Sequence, residues 1–161
     1  MSEHPAAFRI LRAEAARLEA WLCVRHALWP DVPVDTHRRE AEHILRHPDR
    51  ALALLADIGS GADDLPVAFA EATLRTDYVN GCDTFPVAFL EGIHVLPSWR
   101  RRGIARALCR AVESWARDRG CTEFASDALL SNTDARHAHR ALGFAETERV
   151  VFFRKLLRPA P

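Results

Sequence analysis

The chain has 161 residues, 48% of them apolar, which is enough for one domain with its own core and short for two. Its 22 lysines and arginines are balanced by 22 aspartates and glutamates, which argues against general nucleic-acid binding, so any anion site must be local. No apolar run approaches the roughly 20 residues that a bilayer span requires. We expect a single domain over residues 1–158 and a flexible tail over residues 159–161.

The cysteines predict the compartment. They are widely spaced and form neither a CxxC pair nor a ligand cluster with histidines: Cys23, Cys82, Cys109 and Cys121. We therefore expect free thiols and no metal site. The first ten residues, MSEHPAAFRI, lack the apolar core of a signal peptide, so a cytoplasmic protein without membrane contact is expected.

The first third of the chain predicts a strand and two helices. FRILRA is a short strand candidate, and a helical stripe follows it at Ala15, Leu18 and Leu22. This helix is expected to end near Trp29-Pro30. A second, more polar helix is expected to begin at an Asp35-Thr36 cap and to end before Pro48.

The middle of the chain predicts three strands. RALALLADIGSGADDLPVAFAEATLR is typical of a hairpin of two apolar strands joined at Gly59-Ser60-Gly61. Asn80-Gly81 favours another turn. FPVAFLEGIHVL then forms a long strand with few polar interruptions, which is expected to lie centrally in the sheet.

The last third predicts two helices and two strands. After Gly103 a helical apolar stripe recurs until Gly120, at Ile104, Leu108, Val112 and Trp115. CTEFAS is the next strand, and Ser131 or Thr133 can cap a short helix. ERVVFFRKL, rich in branched and aromatic residues, is expected to close the sheet as its last strand. The predicted fold is therefore mixed α/β.

Three consecutive arginines stand where the long strand leads into this helix. A helix N-terminus offers unpaired N–H groups and a positive dipole end, and Gly103 would let a ligand approach the backbone closely. The alternative is a solvated charge run. Cations at this end cost the helix about 0.3–1 kcal/mol, which an anionic ligand would offset. The segment predicts a phosphate cradle.

These residues resemble the GCN5-related N-acetyltransferases (GNAT). The pyrophosphate signature of that family, R/Q-x-x-G-x-G/A, is matched by Arg100-Arg101-Arg102-Gly103-Ile104-Ala105, and RALGF at 140–144 resembles its second landmark. The order of predicted elements is also similar to that of the family. The resemblance implies an α/β fold with a central, mixed, mostly antiparallel twisted sheet of six to seven strands and about four flanking helices.

The resemblance implies acetyl-coenzyme A as the co-substrate. Backbone groups of Ile93 and Val95 are expected to bind the pantetheine arm, because this strand should splay from its neighbour, and the Ile93 N–H would polarise the thioester carbonyl. Asn132 is expected at the pantetheine or sulfur end, unless it is simply a helix cap. The implied cofactor-binding residues are Ile93, His94, Val95, Arg100, Arg101, Arg102, Gly103, Ile104, Ala105, Arg106 and Asn132.

Two histidines leave alternatives open. His139 stands where the family commonly has a tyrosine that can protonate the departing thiolate, so it is either that acid or a structural residue. His94 follows Glu91 on the long strand, but alternation sends its side chain to the opposite face, which favours packing.

Several blocks resemble more closely one family of GNAT enzymes, the aminoglycoside 6′-N-acetyltransferases: RHALWPD, DYVNG, PVAFLEGIHVLP, CTEFASDALLSN and HRALGFAETERVVFFRK. Aminoglycosides are polycations, so their ammonium groups need carboxylates and their sugar faces pack on aromatic rings. The resemblance implies substrate contacts from Trp29, Tyr78, Glu91, Asp127 and Glu148. Singly, Trp29 could be core, Tyr78 a turn aromatic and Glu148 an exposed strand residue. Glu91 and Asp127 differ, because each interrupts an apolar strand or its end, where an unpaired carboxylate is costly to bury.

The expected reaction is direct attack of a neutral amine on the thioester in a ternary complex, which implies catalytic roles for Glu91, Asp127, His139 and Ile93. Either carboxylate could accept the amine proton. A cysteine nucleophile with ping-pong kinetics is the rival mechanism. Rival functions are acetylation of another amine (a polyamine, a small metabolite or a protein N-terminus) and a non-enzymatic anion or nucleic-acid module.

The last predicted strand also bears on assembly. Its apolar residues could pair with a second copy, because unpaired apolar edges invite partners: Val150, Val151, Phe152 and Phe153. The subgroup resemblance also implies a homodimer.

Overall fold

The computed structural model describes residues 7–59 and 65–157. Its helices and strands follow in the order β1 Phe8–Arg12, α1 Leu18–Leu28, α2 Val34–Arg46, β2 Ala51–Ile58, β3 Pro66–Arg75, β4 Val87–Val95, α3 Ile104–Arg117, β5 Phe124–Ser126 and α4 Thr133–Ala141. Short 3-10 turns occupy Ala15–Arg17 and Pro97–Trp99. The mixed α/β prediction is confirmed.

The described strands form one sheet in the order β1-β2-β3-β4-β5. The first four pair antiparallel with their neighbours, and β4 pairs parallel with β5. The predicted hairpin is the β2–β3 pair, and its turn begins at Gly59, with a φ of 93°, while Ser60 and Gly61 lie outside the described residues. β4 has a strand on each side, as expected of an inner strand.

Helices cover both faces of this sheet. The predicted stripe of α3 is buried under 10% exposure and packs on the side chains of β2, β3 and β4 that face it, with members Ile104, Leu108, Val112 and Trp115. The opposite face meets α1 and α2, where Trp21, Leu22 and Val24 surround Phe69. Both faces of β2 and β3 are therefore buried, which is why these strands are apolar at nearly every position.

Two predicted helix caps are wrong by one or two residues. α2 begins at Val34 after Pro33, whose fixed φ suits a helix start, so Asp35 and Thr36 lie in the first turn. α4 is capped by Asn132, whose side-chain oxygen accepts a 3.0 Å hydrogen bond from the Ala135 N–H. Neither Ser131 nor Thr133 is the cap, because Asn132 occupies that position between them.

The predicted closing strand is absent from the structure. Residues 145–157 have no strand pairing and are exposed throughout. Their branched and aromatic side chains favour a strand, but a strand also needs a neighbour, and this segment has none within the described chain. The described sheet therefore has five strands instead of six or seven. The predicted tail, residues 159–161, lies outside the described residues.

One acid ties this C-terminal segment to α4. The Glu146 carboxylate accepts hydrogen bonds from Arg149 at 2.5 Å, Arg136 at 3.2 Å and Arg140 at 3.3 Å. The contacts from Arg149 and Arg136 lower the pKa of Glu146 from 4.5 to about 2. The segment after α4 is thus anchored at its start although it has no strand partner.

We expect the stabilising effect of Glu146 to depend on pH. A carboxylate whose folded-state pKa is depressed stabilises the fold above the unfolded pKa of 4.5, and this effect is lost as the pH falls through about 2. The melting temperature of the wild type should therefore exceed that of Glu146→Gln at about pH 6, and the two should converge near pH 2. Glu113→Gln, which removes a single exposed arginine contact on α3, is the matched control. A difference that stays constant over this range would contradict the assignment.

Candidate active site

The pairing of β4 with β5 stops halfway along β4. The two strands share three residue pairs, from Ala88 with Phe124 to Leu90 with Ser126. On its other side β4 stays paired with β3 as far as Val95. Residues 91–95 therefore border a gap between β4 and the chain that follows β5, which is the splay that the family resemblance implied.

Backbone groups of β4 point into this gap. The Leu96 N–H donates to the Val67 carbonyl of β3 at 2.9 Å. Because peptide groups alternate in direction along a strand, those of His94 and Gly92 also face β3, and those of Ile93 and Val95 face the gap. The Val95 carbonyl accepts a 2.9 Å hydrogen bond from Arg100 Nε. Ile93 therefore offers its N–H and its carbonyl to a ligand in the gap.

The chain turns from β4 into α3 through a tight, left-handed segment. Arg101 has a φ of 62° and Gly103, the N-cap of α3, a φ of 81°. A Cβ on Gly103 would meet nothing within 4 Å, so the glycine is required by the backbone conformation and not by packing. This open space is what a ligand approaching the helix end needs.

The N-terminus of α3 is open to an anion. No side chain caps it, and its first turn contains no acidic residue. The first intrahelical bond runs from the Ala107 N–H to the Gly103 carbonyl at 3.0 Å, so the N–H groups before Ala107 have no acceptor within the helix. Those donors and the helix dipole together form an anion site.

Two arginines flanking this turn are held in place. Arg100 is bound to the Val95 carbonyl, as described above, and the Arg102 guanidinium lies 4.7 Å from the ring centre of Trp99. Arg106, in the first turn of α3, lies 3.5 Å from the Ala141 carbonyl at the end of α4. The segment predicted as a phosphate cradle is therefore an ordered backbone turn at the N-terminus of α3, with arginine side chains around it.

A β-bulge sets the direction of Glu91. Glu71 of β3 pairs with Gly92, and Ala72 pairs with Leu90, so Glu91 is an extra residue in β4. Ile93 and Val95 pack beneath α3, as Leu90 does. Glu91 contacts Thr73 and Arg75 on the opposite face, and His94, between Ile93 and Val95, also faces that side.

The expectation that Glu91 and His94 lie on opposite faces is therefore wrong. Regular alternation along a strand would place Glu91 and His94 on opposite faces. The extra residue of the bulge shifts this alternation by one position, so both side chains lie on the face covered by α1 and α2. Burial and the nearby Arg100 lower the pKa of His94, which favours a neutral imidazole there.

Trp29 lies directly on this bulge. A Cβ on Gly92 would stand 2.6 Å from Trp29 Cζ2, so only glycine lets the indole approach β4. The indole is stacked on His37 at 6.4 Å and meets Phe69 edge-on at 5.8 Å, while the Arg25 guanidinium lies 4.8 Å from its centre. Trp29 is thus packed on several sides and remains partly exposed beside Glu91.

A buried network of charged and polar side chains fixes the position of Trp29. The sequence analysis did not predict this network. Arg25 Nε donates to Glu71 Oε1 at 2.7 Å, and Arg25 Nη1 lies 2.6 Å from His37 Nδ1. Since a guanidinium only donates, Nδ1 accepts, and His37 Nε2 then carries the proton that it donates to the Trp29 carbonyl at 3.0 Å. Burial raises the pKa of Glu71, against the hydrogen bonds from Arg25 and Trp21.

The sequence carried a signal for this network. Glu71 interrupts the apolar strand β3, and Asp57 is the penultimate residue of the apolar strand β2. Both are buried and each is paired with an arginine, Arg25 for Glu71 and Arg17 for Asp57. The cost of an unpaired buried carboxylate was the argument for Glu91 and Asp127, but it applies to these two acids instead.

Glu91 and Asp127 are exposed, so the expectation that they interrupt buried strands is wrong. The Glu91 side chain is 33% exposed, and Asp127 lies on the surface. Both nevertheless follow the last pair of the two parallel strands: Leu90 pairs with Ser126, Glu91 is the next residue of β4, and Asp127 is the first residue after β5. Two carboxylates therefore stand where the strands separate.

Tyr78 and Glu148 lie at a different place, the turn around Gly81. Gly81 has a φ of 76° in the predicted turn, and its missing Cβ would stand 3.8 Å from Glu148 Cγ. Thr147 packs even closer to Gly81. Tyr78, which precedes this turn, is 72% exposed. The structure therefore divides the five predicted substrate residues between the β4 bulge and this turn.

His139 is engaged through both ring nitrogens. Nδ1 lies 2.6 Å from the Ala135 carbonyl, which can only accept, so Nδ1 carries the proton. Nε2 lies 2.8 Å from the Ser126 Oγ, and the ring meets Phe144 edge-on at 5.3 Å. This geometry favours the structural alternative for His139, which fixes α4 to the end of β5.

Asn132 serves as the cap of α4 through its side-chain oxygen. Its amide NH₂ group is not used by that bond and remains a donor for a ligand. The two sequence interpretations of this residue, cap and cofactor contact, are therefore compatible.

The four cysteines are free thiols, and two of them, Cys109 and Cys121, are buried. Burial raises the pKa of Cys109 to about 11 and also raises the pKa values of Cys82 and Cys121. A raised pKa lowers the thiolate population, which is the reactive form. Cys23 is exposed on α1.

Within residues 7–59 and 65–157, every helix is too short or too polar to span a bilayer, and no group of three histidine, cysteine or acidic side chains is arranged to hold a metal ion.

The chain belongs to the acetyltransferase (GNAT) family, whose sequence profile matches residues 14–144. It is 51% identical over 140 residues to the aminoglycoside N(6′)-acetyltransferase type 1 of Serratia marcescens, an alignment that covers 87% of this chain and 93% of that protein. The splayed β4 and the open N-terminus of α3 therefore belong to a member of this family.

Two solved structures resemble the chain over nearly its whole length. AAC(6′)-Iy in complex with the bisubstrate analogue CoA-S-monomethyl-acetylneamine is 46% identical, with a TM-score of 0.86 and coverage of 94% of this chain and 99% of that one. The aminoglycoside antibiotic 6′-N-acetyltransferase AAC(6′)-Ih from Acinetobacter baumannii is 45% identical, with a TM-score of 0.86 and coverage of 94% and 100%.

Proposed function

We propose that the protein is an acetyl-CoA-dependent N-acetyltransferase that acetylates the 6′-amino group of aminoglycoside antibiotics and so confers resistance to them. The observation that carries this is the splay of β4 from β5 above an uncapped helix N-terminus, in a chain about half identical to aminoglycoside N(6′)-acetyltransferases. No observation favours the alternative of another amine acceptor.

The residues around the gap suit the co-substrate. The N–H groups at the start of α3, with Arg100, Arg101 and Arg102 around them, would hold the pyrophosphate by charge-assisted hydrogen bonds. The Ile93 peptide group, directed into the gap, would bind the pantetheine arm and polarise the carbonyl that is attacked. Acetyl-CoA supplies the acetyl group as a thioester.

The residues on the α1 side of β4 suit a polycationic amine. Trp29 presents a fixed aromatic surface next to the exposed Glu91, and Asp127, Tyr78 and Glu148 are the further residues that we propose for the acceptor. Sugar rings pack on aromatic faces, and ammonium groups bind carboxylates. Glu91 or Asp127 accepts the amine proton, directly or through water.

Direct transfer fits this arrangement better than an acetyl-cysteine route. The gap and the carboxylates lie at the same end of β4, so both substrates can be held together, which supplies rate through proximity. The buried Cys109 and the partly buried Cys82 have raised pKa values, which disfavours a thiolate nucleophile.

Release of coenzyme A with kanamycin or tobramycin as acceptor tests this function. We expect turnover, acetylation at the 6′-amine by NMR, and no turnover with an otherwise matched aminoglycoside that has a 6′-hydroxyl group. Spermidine and a peptide N-terminus are the comparison acceptors. Faster turnover of either comparison acceptor, or acetylation at a different amine, would contradict the proposal.

The cytoplasm is the compartment that we propose. Support comes from Cys23, an exposed thiol that is not paired in a disulfide, and from the requirement for acetyl-CoA.

We also infer that two copies associate through residues 149–157. Large apolar side chains are exposed along this segment, with Phe152 at 84% and Phe153 at 93%, and their burial would be favourable. β5 is the last strand in the described sheet, and an edge strand offers unpaired backbone groups to another strand. A second copy of the same segment or edge is the expected partner.

Light scattering should show a dimer for the wild type and a monomer for the double variant Phe152→Ser, Phe153→Ser, because the apolar contact is removed. Leu65→Ser, at a site 71% exposed before β3, is the matched control and should remain dimeric. A wild-type monomer at the working concentration would refute the assembly.

A further inference from the structure

The Glu91 carboxylate, which we propose to bind the substrate amine, is already paired with a cation of the protein itself. Arg75, the last residue of β3, donates from Nη2 to Glu91 Oε1 at 2.8 Å. Its guanidinium carbon lies 4.0 Å from the ring centre of the buried Phe89, which fixes the side chain over β4. Both partners are accessible, with Arg75 44% exposed and Glu91 33% exposed.

Thr73 holds the same carboxylate oxygen. Its hydroxyl donates to Glu91 Oε1, the atom that Arg75 binds. Both hydrogen bonds therefore converge on one oxygen, and Oε2 is the atom available to a substrate ammonium group. The bulge in β4 is what turns Glu91 towards these two β3 residues.

We propose that Arg75 is a specificity-determining residue: its guanidinium neutralises Glu91 in the free enzyme and opposes the binding of ammonium groups at that carboxylate. The inference rests on the proposed function, because it assumes a cationic acceptor at Glu91. On this proposal, Arg75 limits how many ammonium groups of the acceptor can bind near Glu91.

Two effects of removing Arg75 oppose each other. Glu91 would lose one of the contacts that orient it, which weakens binding, but the site would lose a positive charge next to the acceptor, which strengthens binding. Thr73 still fixes Oε1 when Arg75 is gone, so orientation is largely kept. The charge effect is therefore the larger one, and it grows with the number of ammonium groups on the acceptor.

The test compares three variants with the wild type by steady-state kinetics at low and high salt. Arg75→Gln removes the charge, Arg75→Lys keeps it, and Arg117→Gln removes an equal charge from an exposed pair with Glu113 on α3, which covers the other face of the sheet. All should melt close to the wild type, since exposed ion pairs contribute little to stability.

We expect Arg75→Gln to lower the KM for a tetra-amino aminoglycoside about 3- to 10-fold at low salt, and the effect to shrink in high salt. It should be smaller for an acceptor with fewer amines. Arg75→Lys and Arg117→Gln should keep the wild-type KM.

An unchanged or higher KM for Arg75→Gln with an active wild type would overturn this assignment alone. An effect that does not depend on salt would also overturn it, because a purely orienting residue acts independently of screening. Failure of the wild type to acetylate any aminoglycoside would instead overturn the proposed function and, with it, this inference.

Discussion

Beyond Leu90, β4 has a hydrogen-bonding neighbour on one side only among the strands that the structure describes. Its peptide groups at Ile93 and Val95 consequently point into a gap. If the pairing with β5 continued, these groups would be hydrogen-bonded to that strand. The same strand then runs into the left-handed turn at Gly103, which leaves the first N–H groups of α3 unpaired. The gap and the open helix end therefore lie at the same end of β4, with the 3-10 turn Pro97–Trp99 between them, and each offers backbone N–H groups to a ligand.

The acceptor side of the site depends on a different constraint, the buried pairing of Arg25 with Glu71. The desolvation of two charges is costly, and removal of one partner from such a pair typically destabilises a protein by about 3–5 kcal/mol. Here the pair connects α1 to β3, and His37 of α2 completes it by bonding to the Trp29 carbonyl. Trp29 thereby becomes a fixed surface beside Glu91. The network also explains why Gly92 has no side chain, since the indole occupies that space.

Local patterns in the sequence were sufficient for much of this fold. The stripe from Ile104 to Trp115 predicted α3, and the arginines before Gly103 predicted an open helix end, because both depend on residues close in the chain. The β4–β5 splay came from the family resemblance. The predicted roles of the site residues themselves stay predictions, although Glu91 and Asp127 each follow the last paired residues of β4 and β5.

The features that sequence reasoning missed depend on residues far apart. The bulge at Glu91 is defined by its register with Glu71, and the Arg25–Glu71 bond joins residues 46 positions apart. No periodicity reveals either one. The segment 149–157 shows the converse: its composition favours a strand, but strand formation needs a neighbour that the described chain does not supply.

Calorimetric titration of acetyl-CoA into three proteins tests the central claim, that the turn at the start of α3 binds the co-substrate. Gly103 and Gly120 lie at opposite ends of α3, with φ values of 81° and 77° and open space around each, so alanine imposes a similar backbone strain at both. The wild type and Gly120→Ala should bind one acetyl-CoA per chain with equal affinity, and Gly103→Ala should bind at least about tenfold more weakly. The absence of binding heat from the folded wild type, or equal affinities for the two variants, would contradict the account.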